Sequence, residues 1–64
     1  MLVFSREKYI ENSKNKGELE SHYTQEALKG WALDIDGLEV TGNNIEGYRC
    51  GWYFIDKEWI IEKE

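Results

Sequence analysis

The sequence predicts an α+β domain: two N-terminal helices packed on a small antiparallel β-hairpin, closed by a short C-terminal helix. Three observations lead there. Leu19, Tyr23, Ala27, Leu28, Trp31 and Ala32 recur at steps of three and four, the spacing of a helix stripe. Turn-forming clusters, DIDG at 34–37 and TGNN at 41–44, then cut the second half into strand-length pieces. Finally, residues 47–61 hold Tyr48, Trp52, Tyr53, Phe54 and Trp59, five of the nine aromatic side chains. Each such ring buries ~150–250 Å², so the rest of the chain has to be arranged to cover that stretch. With 64 residues, the chain makes one domain, 1–64.

The elements follow in order. Residues 1–4 are a short apolar lead. Ser5 is an N-cap for a helix over 6–13, with Phe4 and Tyr9 placed as a hydrophobic staple and Glu7 in the first turn. NSKNKG at 12–17 is a polar breaker. Residues 18–33 read as the main helix; the alternative starts it at Thr24, with 18–23 as a separate turn. Gly30 falls inside this segment beside Trp31, where a glycine weakens a helix by ~1 kcal/mol relative to alanine. After the DIDG stop, 38–40 is a strand with Leu38 and Val40 on one face, and TGNN is the hairpin loop. Residues 47–55 return as one strand, or as two with a bend at Gly51. No alternation runs through 52–55, so both of its faces are expected to be covered. Asp56 caps a last helical segment over 57–62; a strand there would instead put Trp59 and Ile61 on one face.

Composition narrows the function. A chain this short buries only ~60% of its unfolded surface and gains from a partner chain, a metal or disulfides. Cys50 is the single cysteine, expected as a small buried residue, and no internal disulfide is available to it. One cysteine with one histidine, His22, falls short of the four ligands of a structural zinc site. No cofactor is expected. No apolar run approaches the ~18 residues of a membrane span. The opening MLVFSREK lacks the basic and apolar regions of a signal peptide, so the expected location is the cytoplasm.

The net charge is −5, unevenly distributed: 1–17 is basic by two charges and 18–64 acidic by seven. Phosphate backbones are bound by Lys and Arg, so nucleic acid is not the expected partner. An acidic surface suits solubility or a basic protein partner. Asp34 and Asp36 beside Gly37 lack the alternating ligands and terminal Glu of a calcium loop, and read as a helix stop. No Ser or Cys stands in a nucleophile motif with His22, and GNNIEG at 42–47 lacks the Lys-Ser/Thr ending of a phosphate loop. The expectation is a protein that is not an enzyme.

The aromatic excess is the informative feature. Trp31, Tyr48, Trp52, Tyr53, Phe54 and Trp59 exceed the needs of one small core, and tryptophan and tyrosine dominate binding hot spots. They are the candidate partner or dimer interface, with Glu39, Glu46, Asp56 and Glu58 as an acidic rim. A homodimer is expected, since closed two-fold dimers are the commonest assemblies.

FSREKYIE at 4–11, Trp31, Asp36-Gly37 with Glu39-Val40, Gly47-Tyr48 and KEWI at 57–60 together resemble small acidic proteins encoded by phages and prophages of Gram-positive bacteria. The similarity spans nearly the whole chain, which departs from the common pattern at Trp52–Phe54 and in the long connection over 14–21. The resemblance implies a phage accessory protein that acts in the host cytoplasm by binding and blocking a host protein. Antiphage defence components are among such targets, including CRISPR nucleases and helicase-type systems such as Hachiman. Self-association in a structural or regulatory phage role is the alternative.

Overall fold

The computed structural model describes residues 1–64. It is an α+β domain with two antiparallel sheets, and helices supply the rest of the core. The chain opens with strand β1 (Leu2–Phe4), where the sequence suggested only an apolar lead. Helix α1 (Arg6–Asn15) follows directly, and the Ser5 hydroxyl accepts from the Lys8 N–H at 3.2 Å as its N-cap. The expected staple is present: the Phe4 and Tyr9 rings meet edge to face at 6.3 Å. The helix runs two residues further than the sequence suggested.

The long second helix does not form. Helix α2 (His22–Lys29) is capped by Ser21, whose hydroxyl accepts from the Thr24 N–H at 3.1 Å and donates to the Thr24 hydroxyl at 2.9 Å. The Gln25 amide reaches back to the Leu19 carbonyl at 2.6 Å, holding the preceding residues as a turn. These side-chain bonds offer the backbone an alternative to helix, and here they prevail. At the other end the helix breaks at Gly30 (φ −109°, ψ −108°), and one further turn, α3 (Trp31–Asp34), completes the segment. Thr24, Ala27 and Leu28 face the core, while Tyr23 points into water.

The hairpin is shifted. Residues 38–40 do not pair with the returning strand. They lie along β1, with Val3 bridging Glu39, Phe4 N–H donating to the Leu38 carbonyl at 3.0 Å and Val40 N–H donating to the Leu2 carbonyl at 2.8 Å. Leu38 and Val40 also part company: the first is exposed and the second buried. The sheet strand is the TGN segment read as a loop, β2 (Thr41–Asn43). It pairs with β3 (Gly47–Cys50), which pairs with β4 (Tyr53–Ile55), giving the order β2-β3-β4. The Asn43 carboxamide oxygen turns the first corner by accepting from the Ile45 and Glu46 N–H groups, each at 2.8 Å. Gly42 (φ +114°) sits where a Cβ would collide with the Gly47 carbonyl oxygen, so no other residue fits that place in β2.

The tail is also only partly helical. The Asp56 carboxylate accepts from the Glu58 N–H at 2.9 Å, as a cap should, but it starts a single 3₁₀ turn, Lys57–Trp59. The chain then becomes strand β5 (Ile60–Glu62), paired antiparallel with β1 through Leu2–Glu62, Val3–Ile61 and Phe4–Ile60. β-branched isoleucines suit a strand, and the far edge of β1 needs a partner. No helix is long and apolar enough to cross a membrane.

Phe4 is fully buried at the centre of a core made with Tyr9, Ala27, Leu28, Ala32, Ile35, Val40, Cys50 and Ile55. Phe4→Ala should lose about 3–5 kcal/mol, comparable with the roughly 3–10 kcal/mol available to a chain this short. The expected outcome is loss of the cooperative transition in urea, followed by far-UV circular dichroism.

Candidate functional site

The pleat of the three-stranded sheet sorts its side chains onto two faces. Tyr48 lies opposite Ile55, and Cys50 opposite Tyr53, on the inner face; Cys50 and Ile55 there are buried. The row Thr41–Arg49–Phe54 lies on the outer face. The link between β3 and β4 is the two-residue turn Gly51–Trp52, with positive φ at Gly51 (+60°), the Gly-first arrangement of a type II′ hairpin. That turn holds Trp52 out at the tip of the hairpin.

The outer face is therefore aromatic and wet. Trp52 is 92% exposed and Phe54 73%. The Arg49 guanidinium lies over the Phe54 ring, 4.8 Å from its centroid, a cation–π contact. Thr41, Arg49, Gly51 and Trp52 line a shallow recess beside it. Trp52 and Phe54 share this open sheet face, and exposed aromatic surface of this kind makes it the candidate interaction site. Beyond β4 the sheet has no further strand.

The six aromatic candidates divide into groups. Trp31 and Trp59 are brought together against the core, and Tyr53, 40% exposed, joins them through Trp31. Tyr9 stacks on Trp59 at 4.7 Å, Trp31 stacks on Tyr53 at 5.8 Å, and Trp31 and Trp59 lie 5.7 Å apart. The Trp59 indole N–H donates to Asn12 Oδ1 at 3.2 Å, as a half-buried tryptophan requires. Tyr48 is half-buried and donates its hydroxyl to Asn44 Oδ1 at 3.1 Å. Only Trp52 and Phe54 share the open face. The covering expected on both sides of 52–55 is thus present on one side only.

The acidic candidates do not encircle the aromatic tip. Glu46 is in the 44–46 loop, at the end of the sheet opposite Trp52. Asp56 is engaged as the cap of the 3₁₀ turn that contains Glu58. Glu39 lies beside β1. The sequence reading passed over Arg49 and Thr41. Gly51–Trp52 read as a two-residue turn would have put Phe54 opposite Arg49. Tyr23 and Ile45 are also large and exposed, but neither lies in this patch.

Burial pushes the Tyr9 hydroxyl above the ordinary phenol pKa, with Tyr23 and Glu18 adding to it and Thr24 opposing. Burial likewise raises the Cys50 thiol. Thiolate is the reactive form, so burial in the core suits Cys50 to packing. No cluster of three or more His, Cys, Asp or Glu is placed to hold a metal ion. The chain matches no protein-family model, no curated protein and no solved structure.

Two outcomes are expected. Trp52→Ala should leave stability within about 0.5 kcal/mol, whereas Trp59→Ala should cost about 2–4 kcal/mol through the aromatic cluster; urea midpoints separate them. Both raised groups are held neutral by the fold, so their contribution is complete below their unfolded pKa values and lost as pH rises through the folded ones. Stability should accordingly be level near neutrality and fall above roughly pH 8.5–10. Tyr9→Phe should shrink that alkaline loss in urea titrations at pH 7 and 10.5.

Proposed function

We propose that the protein is a non-catalytic phage accessory protein that binds and blocks a host bacterial protein in the host cytoplasm, and that it works as a homodimer. The observation that carries this reading is the pair Trp52 and Phe54, held in water on the outer face of the hairpin sheet beside Arg49. Rings in that position add little to the stability of the domain. Aromatic side chains and arginine are, however, the ones that anchor interfaces. The resemblance to small acidic phage and prophage proteins supplies the class of target: antiphage defence components, with CRISPR nucleases and helicase-type systems such as Hachiman among them. A net charge of −5 favours a basic surface on that target.

The state of the two most reactive side chains supports a role without catalysis. The Cys50 thiol is buried and its pKa raised. His22 is exposed on α2, with Glu26 at 3.8 Å as its neighbour. The open edge of β4 favours a second reading, a structural or regulatory phage protein acting through self-association.

The immobilised protein should retain one host protein from lysate in stoichiometric amount, identified by mass spectrometry. A Trp52→Ala, Phe54→Ala double variant should fold normally and lose it. Retention unchanged in the double variant would remove the outer face from the reading, and recovery of virion or phage replication proteins would favour the second.

A further inference from the structure

We infer that the strand edge left open by β4 is occupied by a second copy of the chain, paired antiparallel about a two-fold axis at Phe54. This rests on the homodimer of the reading above and specifies its interface. In an antiparallel pair, directly opposed residues alternate between bonded and non-bonded. The two-residue turn makes Cys50–Tyr53 a bonded pair, which leaves Arg49–Phe54 non-bonded. The Phe54 N–H and C=O therefore point away from β3, towards the open edge. None of the backbone bonds outside the helices and strands involves either group.

The other edges are poorer templates. β2 is Thr-Gly-Asn, exposed throughout and without an apolar side chain. β5 carries Glu62 within the strand, and a charge on an edge strand resists pairing. β4 is Tyr-Phe-Ile, with no charge, proline or bulge.

The edge is also self-complementary. Donor and acceptor both belong to Phe54, so a two-fold axis there makes two hydrogen bonds between the copies. Phe54 faces the partner's Phe54, and Trp52 lies diagonal to it, within reach of an aromatic side chain. The two Phe54 and two Trp52 rings meet only side by side on a face that stays open, so edge pairing buries less than the ~1,200 Å² at the small end of specific interfaces. That area suits a reversible dimer rather than an obligate one. Edge pairing leaves the outer face open, so the two Thr41–Arg49–Phe54 rows join into one aromatic band across the axis, a larger surface for the host protein.

The test uses the whole chain. Sedimentation equilibrium over a concentration series gives the assembly state, and amide exchange by NMR at low and high concentration reads the Phe54 N–H. The expected result is a monomer–dimer equilibrium in which Phe54 exchange slows as concentration rises. Phe54→Lys should weaken the dimer about 10-fold or more, while Ile45→Lys, at the opposite end of the sheet, should leave it unchanged. A monomer at every concentration up to ~1 mM overturns both the homodimer and this interface. A dimer whose Phe54 amide exchanges at a concentration-independent rate, or that survives Phe54→Lys, overturns the interface alone.

Discussion

Three residues hold this fold together. Leu2–Phe4 is hydrogen-bonded along both of its edges, to Ile60–Glu62 on one side and to the 37–40 segment on the other. Its last residue, Phe4, is completely buried, and Ser5 immediately begins the first helix. The Ser5 N–H donates to the Trp59 carbonyl at 2.8 Å, so the strand, the helix start and the tail meet at one point. Only 13 of the 64 residues are buried, and a core that small has no redundancy. Tyr9, Trp31 and Trp59 are placed by their packing around Phe4, and the sheet that carries the outer aromatic face is in turn seated on that core through Ile55 and Cys50.

The aromatic surplus resolves into two populations with different physics. Trp31 and Trp59 are half-inserted rings that extend the core to the surface, where Tyr53 stacks on Trp31. Trp52 and Phe54 contribute nothing to that core. What separates Tyr53 from its neighbours on either side is the pleat: one residue along a strand is enough to change face. A substitution scan across 52–54 therefore reports on two separate properties, and neighbouring positions are expected to respond differently.

Much of the local chemistry was legible in the sequence: the Ser5 cap, the Phe4–Tyr9 staple, the break at 34–37, the Asp56 cap and the burial of Cys50. These depend on contacts within a few residues, which a single sequence carries. The misreadings share a different cause. TGN became a strand because Asn43 takes over the turn with its own side chain. Residues 60–62 became a strand because β1, at the far end of the chain, offered an edge. The second helix broke because Ser21 and Gln25 bond locally to backbone. Of the candidate site, the identity of the exposed rings followed only once the two-residue turn at Gly51–Trp52 fixed the parity of β4.

The closure of β1 on β5 also sets an order of events during synthesis. The Met1 nitrogen and the Lys63 carbonyl meet at 2.8 Å although they stand 62 residues apart in the chain. Helix α1 can form as it leaves the ribosome, since its bonds are local. Val3 and Phe4 emerge earlier still, yet stay without one of their two edges until residues 60–62 have been translated. Val3 and Phe4 thus gain their second edge through a long-range closure of the kind that slows folding.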